Sequence, residues 1–308
     1  MALFPGQGAQ TPHFLRGLPD HESVLGTLSE AAQVLEEDPR SLDSAEALQS
    51  TVAVQLSTLI AGVAYARLLS AKGVEPDGVA GLSVGAFTAA VACGSLPFTD
   101  ALRLVRLRAV SMESAFARGG AGMLAVLGLG EAAVRTLVEG ISRPSTPLYL
   151  AGVNSPTEIV LAGADAALAA AADAASRAGA RARRLCMSVP SHCPLLNSVS
   201  ARLREALGEV RLQSARVPYI GNVRARALTS AADIAEDLIL NVSHTVRWYE
   251  SVTLAYELGA RVFIEAPPGR ALTNLVRKEF PQARALAAAD SPLDSVVHAA
   301  TAALLRVP

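Results

Sequence analysis

Gly81-Leu82-Ser83-Val84-Gly85 sets a serine between two glycines. The apolar pair Val79-Ala80 precedes it, and the apolar stretch Ala86 to Cys93 follows. That context predicts a strand, a sharp turn and a helix. A serine on such a turn projects its oxygen beyond the sheet end, where it can act as a nucleophile. The glycines leave room for the tight turn. The backbone N–H of Val84 then lies where it can stabilise an oxyanion.

A serine nucleophile needs a base, and neutral imidazole can take the proton and later return it. The chain has five histidines. His192 lies in Val189-Pro190-Ser191-His192-Cys193-Pro194, a predicted loop between a strand and a helix, and His244 lies in a second loop, Asn241 to Thr245. Loops present catalytic side chains, so both are candidate bases. His298 falls in a C-terminal helical stretch suited to packing or surface roles. His13 and His21 sit in a polar, proline-punctuated N-terminal segment. Arg103, Arg106 and Arg108 follow the elbow on one helix. Arginines on a solvated face do nothing special, but one turned inward would hold a carboxylate with two parallel hydrogen bonds. Position alone does not choose among the three. Pro5-Gly6-Gln7-Gly8 lacks the lysine and the spacing of a phosphate loop. It suits a turn that offers a backbone N–H to an oxyanion.

These residues need a scaffold. Leu3-Phe4 reads as the end of a first strand, 51–70 as a long helix and Asp77 to Leu82 as the elbow strand. Thr99-Asp100 reads as the cap of a helix reaching Phe116. Alternation of this kind implies a parallel sheet covered on both faces. After Arg118-Gly119-Gly120 the order becomes strand, helix, strand, strand, helix, strand, over 123–127, 131–139, 148–153, 159–162, 165–177 and 182–186. That is the ferredoxin-like motif. The expected architecture is therefore α/β, with 1–118 and 188–308 forming a large domain and 119–187 an inserted small subdomain. The parent fold resumes with a helix from about His192, a strand near 217–220, helices near 232–240 and 247–258, a strand at 261–265 and a helix after Gly269.

The chain has 308 residues, 51% of them hydrophobic, and a formal net charge of −1. That supports a substantial core and gives no basic surface for nucleic acid or membrane. Cys93, Cys186 and Cys193 lack metal-site spacing and read as free thiols in a reducing compartment, the cytoplasm. The N-terminus shows no secretory pattern. Ala47 to Ala66 is uncharged and long enough to span a bilayer, but its glutamines, serines and threonines suit a helix buried behind a sheet.

Taken together, Phe4-Pro5-Gly6-Gln7-Gly8, Gly81-Leu82-Ser83-Val84-Gly85, Arg108 and Pro190-Ser191-His192-Cys193 resemble the malonyl-CoA:acyl-carrier-protein transacylases over nearly the whole chain. The resemblance implies an α/β-hydrolase-like large domain with an inserted ferredoxin-like subdomain. It implies Ser83 as nucleophile, His192 as base, Arg108 as partner of the malonate carboxylate, and the N–H groups of Gln7 and Val84 as oxyanion hole. It also implies that the Asn241 carbonyl orients His192, which leaves His244 outside the pair. Malonyl-CoA would be the substrate and a carrier-protein thiol the acceptor, with no metal and no permanently bound cofactor.

Leu82 and Ala86 depart from the family's usual elbow, where a histidine and an acidic residue are common. Pro267 stands where glycine is common. Arg16-Gly17-Leu18-Pro19, Val84-Gly85-Ala86-Phe87 and Leu258 to Glu265 are most similar to one branch, the epsilon subunit of biotin-independent malonate decarboxylase. That branch charges a delta carrier subunit bearing a CoA-like prosthetic thiol. The rival functions are an acyl carrier protein transacylase of fatty-acid or polyketide synthesis, a serine esterase or thioesterase, and a non-catalytic scaffold in a decarboxylase complex.

Overall fold

The computed structural model describes residues 1–187 and 189–304; Ser188 and 305–308, expected in the large domain, lie outside the described residues. The chain opens with strand β1 (Ala2–Phe4) and helix α1 (Glu22–Leu35). The sequence reading did not foresee α1. Its cap is unusual: His21 Nδ1 accepts a hydrogen bond from the Ser23 N–H at 3.2 Å. Helix α2 (Thr51–Ala71) starts at the capping hydroxyl of Ser50. It is apolar enough to cross a membrane, but 83% of its most apolar window is buried inside the protein. Its polar groups are partly satisfied within the helix, as where the Ser57 hydroxyl donates to the Ala53 carbonyl at 2.6 Å.

Strand β2 (Val79–Gly81) turns sharply into α3 (Gly85–Ala92), and α4 (Phe98–Ala115) follows. Pro97, not Thr99-Asp100, precedes the first turn of α4. Asp100 sits inside that turn, where its charge complements the helix dipole. Next come β3 (Ala121–Leu127), α5 (Glu131–Ile141), β4 (Leu148–Ser155), β5 (Glu158–Ala164), α6 (Asp165–Arg177) and β6 (Arg181–Arg184). These strands form one antiparallel sheet in the order β4-β5-β3-β6. Leu124, Val126, Ile159 and Leu161 pack with Val134 and Leu168 of its helices. This is the ferredoxin-like arrangement.

The chain then runs through α7 (Asn197–Gly208), β7 (Tyr219–Ile220), β8 (Ala227–Leu228), α8 (Ala231–Leu240), α9 (Trp248–Glu257), β9 (Val262–Glu265), α10 (Ala271–Glu279), β10 (Arg284–Ala287) and α11 (Leu293–Leu304). Helix α7 begins later than expected, because the tight turn Pro194–Leu196 intervenes after His192. Strands β8 and β10 are additions to the expected set.

The large sheet has the order β10-β9-β1-β2-β7-β8 and is parallel except for the β7–β8 hairpin at its edge. Its centre is β1 beside β2, with Phe4 opposite Gly81. The turn at Pro5 and the elbow at Ser83 therefore leave the sheet side by side at its carboxyl end. Open parallel sheets bind ligands at that end.

Contact there is close enough to dictate glycine. A Cβ on Gly85 would lie 2.2 Å from the Phe4 carbonyl oxygen, and one on Gly81 would lie 2.0 Å from the Gly85 oxygen. Gly85→Ala must push β1 away from α3. We expect it to lower the unfolding free energy by about 3 kcal/mol, read from denaturant midpoints. A loss under about 0.5 kcal/mol would mean that the two backbones part freely.

Candidate active site

Ser83 has φ 56°, in the left-handed region that side chains disfavour. The surrounding backbone holds it there. The Leu82 N–H donates to the Phe4 carbonyl at 2.9 Å, and the Gly85 N–H donates to the Leu82 carbonyl at 2.9 Å. Two side-chain amides complete the grip. Asn222 Oδ1 accepts from the Ser83 N–H at 3.1 Å, and Asn241 Nδ2 donates to the Ser83 carbonyl at 3.0 Å. Asn222 Nδ2 also donates to the Gly81 carbonyl at 2.8 Å. The Asn222 loop is itself held by buried Asp237, whose carboxylate accepts from the N–H groups of Asn222 and Val223, both at 3.0 Å, and from the Tyr219 hydroxyl at 2.8 Å. Burial pushes the Asp237 carboxyl upward, and those donors oppose the shift.

His192 is also left-handed, with φ 63°. Its N–H donates to the Val242 carbonyl at 2.9 Å, and its Nδ1 faces the Asn241 carbonyl at 2.5 Å. A carbonyl only accepts, so Nδ1 carries the hydrogen and Nε2 keeps the lone pair. Burial pushes the imidazole down to about 4; the Arg108 charge adds to that, and the Asn241 carbonyl opposes it. A neutral ring with a free Nε2 can accept a proton.

Arg108 is 1% exposed. Its Nη2 donates to Ser83 Oγ at 3.1 Å and its Nη1 to Gln55 Oε1 at 2.5 Å, while Nε has no partner among the described residues. Burial pushes the guanidinium down to about 10, which leaves it charged at neutral pH. It makes no salt bridge among the described residues. A buried cation without an anion is costly, so this site favours an anionic ligand. Arg103 and Arg106 are exposed. The structure thus separates three arginines that position along the helix could not.

The Gln7 and Val84 N–H groups have no hydrogen-bond partner among the described residues. A Cβ on Gly6 would lie 3.5 Å from Ser83 Cβ, so the glycine turn abuts the elbow. The Ser83 hydroxyl is bonded to Arg108, and no hydrogen bond joins it to the His192 ring among the described residues. The nucleophile and base candidates are linked instead through Asn241, whose side chain holds Ser83 and whose main chain holds His192. His13, His244 and His298 are exposed. Leu82 packs against the apolar cluster that includes Trp248 and Val246. Burial raises the Cys193 thiol to about 11, which keeps it protonated beside His192. No group of side chains suited to a metal ion occurs among the described residues.

Sequence reasoning missed Gln55, Asn222 and Asp237. A glutamine well inside an uncharged helix stretch was a usable signal for Gln55. Nothing local marks Asn222 or Asp237.

The buried imidazole makes stability pH-dependent. Its folded value, about 4, lies below the ordinary 6.5. Between those values the unfolded chain binds more protons, so stability falls as pH drops through this window and levels off below it. The shift corresponds to about 3 kcal/mol. His192→Gln should remove this component. Denaturant unfolding of both proteins from pH 7 to pH 4 should show their difference changing by about that amount. A pH-independent difference would show that the ring titrates normally.

The acyl transferase domain family matches residues 3–297. The chain is 34% identical to the malonyl CoA-acyl carrier protein transacylase of Bacillus subtilis, over 94% of this chain and 92% of that protein. It is 33% identical in sequence to the acyl-carrier-protein S-malonyltransferase of Burkholderia pseudomallei, whose crystal structure superposes with a TM-score of 0.91 over 97% of this chain and 98% of that one. It is also similar to a malonyl-transacylase solved in complex with its type II PKS acyl-carrier protein, with a TM-score of 0.89, 32% identity and 98% coverage of both chains. An acyltransferase with a serine elbow, an inserted ferredoxin-like sheet and these relatives belongs to the malonyl-CoA:acyl-carrier-protein transacylase family.

Proposed function

We propose that this acyltransferase moves a malonyl group from malonyl-CoA to the prosthetic thiol of an acyl carrier protein, through a malonyl ester on Ser83. One observation carries the reading above others: a buried guanidinium without an anion touches the proposed nucleophile. A malonyl carboxylate supplies that anion and takes over Nη2 of Arg108. The Ser83 hydroxyl is then released toward Nε2 of His192.

Ser83 Oγ attacks the thioester carbonyl as Nε2 takes its proton. The oxyanion accepts hydrogen bonds from the N–H groups of Gln7 and Val84; one such donor is worth ~100-fold or more in rate. The C–S bond breaks, the proton passes to the departing sulfur, and malonyl-serine remains. The carrier thiol then gives its proton to Nε2 and attacks the ester. Ser83 leaves and recovers that proton. An acetyl group would leave the guanidinium buried and unpaired, which disfavours it.

The names of the relatives support a general acyl carrier protein as acceptor. The dedicated carrier of malonate decarboxylase has only the three sequence stretches behind it. We take 119–187 as the small subdomain and the remainder as the catalytic domain, from sheet membership. Three free cysteines suit the cytoplasm.

Incubation with malonyl-CoA should add one malonyl mass to the peptide containing Ser83, and Ser83→Ala should abolish it. Absence of the adduct from the wild type would refute the ester mechanism. Arg108→Ala should cut malonyl transfer by ~100-fold or more and acetyl transfer far less. Equal losses for both acyl groups would remove the carboxylate role of Arg108. Assaying carriers that bear phosphopantetheine against carriers that bear the CoA-like group identifies the acceptor.

A further inference from the structure

We infer that the side chain of Asn241, and not only its main chain, is a positioning element that sets nucleophile against base. This rests on the acyl-transfer reading above. Orienting His192 requires only a carbonyl, which any residue at this position would supply. The side chain is nevertheless a fully buried amide, and its Nδ2 donates to the Ser83 carbonyl at 3.0 Å. The amide cannot be turned around, because Oδ1 would then face another acceptor. Oδ1 has no partner among the described residues. A buried amide with an idle acceptor costs stability that an apolar side chain would not. The Nδ2 contact explains why an amide suits this position.

The contact has leverage because of where Asn241 sits. It ends α8, and its N–H donates to the Asp237 carbonyl at 2.9 Å. From the same helix, the Asp237 carboxylate holds the Asn222 loop. Asn222 holds the Ser83 N–H, while Asn241 holds the Ser83 carbonyl. One helix end therefore grips the Ser83 peptide unit from both sides. The next residue, Val242, accepts the His192 N–H. Both left-handed residues, Ser83 and His192, are thus referenced to the same turn, and their separation is a property of that turn. Removing the Asn241 amide leaves the imidazole anchored by the main chain but lets the Ser83 peptide drift.

The test uses the full chain with malonyl-CoA and a carrier protein it charges. Asn241→Ala and the equal-volume Asn241→Asp should lower kcat about tenfold or more, since small misplacements at a reacting centre cost up to ~100-fold. KM for malonyl-CoA should stay within about twofold, because Arg108 is untouched. Ile234→Ala, in the core face of α8, should lower the melting temperature and leave kcat near wild type. A wild-type kcat in Asn241→Asp overturns the inference. So does an equal kcat loss in Ile234→Ala, which would mean general loosening of α8. Failure of both Asn241 variants to fold also overturns it, because the amide would then serve the fold. A wild type that forms no Ser83 adduct defeats the acyl-transfer reading instead, and is a separate result.

Discussion

A serine at φ 56° is a backbone state that the local chain does not hold unaided. Everything at this site depends on that state being imposed from outside. The constraint starts at the centre of the sheet, where β1 and β2 run parallel and Gly85 lies against the Phe4 carbonyl. It is completed by amides from the C-terminal third of the chain, Asn222 and Asn241. Strain of this kind persists where surrounding contacts over-determine it. Here both backbone hydrogen-bonding groups of Ser83 have partners that belong to other elements. The fold and the site are therefore one problem: β7, which follows the inserted segment, must pair with β2 before Asn222 can hold Ser83.

Electrostatics follows from the same enclosure. His192 and Arg108 share a buried space, and burial acts on each in the direction that disfavours charge. The outcomes differ because the ordinary values differ. Imidazole starts near neutrality and ends uncharged. Guanidinium starts so high that a large drop still leaves it charged. The result is a neutral proton acceptor beside a fixed cation. Protonating His192 would place two cations together in low dielectric, so Arg108 helps keep the ring neutral. A bound carboxylate would offset the guanidinium and ease protonation of the ring.

Much of this was legible in the sequence, for identifiable reasons. The elbow was readable because strand, glycine turn and helix are contiguous there. The ferredoxin-like order was readable because its strands are long enough to show their pattern. Helix α1 was missed although Val24, Thr27, Leu28, Ala31 and Leu35 recur at helical spacing; it begins at a histidine cap, which is not one of the usual start signals. Strands β8 and β10 were missed because short strands carry little periodicity. Within the site, Ser83, His192 and Arg108 were named, but only the resemblance separated Arg108 from its neighbours. Gln55, Asn222 and Asp237 escaped because each acts through contacts remote in sequence. Their roles exist only after the chain is folded.

The identity of Gln55 sharpens the electrostatic argument. Arg108 needs an acceptor to fix its orientation, and Gln55 Oε1 provides one. A glutamate there could accept the same hydrogen bond and would form a stronger pair. It would also neutralise the guanidinium, and the site would no longer discriminate in favour of a second carboxylate. A neutral acceptor directs Nη2 to the Ser83 hydroxyl while leaving the positive charge uncompensated. Among the described residues the other hydrogen-bonding end of Gln55 meets only the Met112 sulfur at 3.5 Å, a weak acceptor. The surroundings of Arg108 thus orient its charge without satisfying it, and a carboxylate such as the proposed malonyl group carries would complete it.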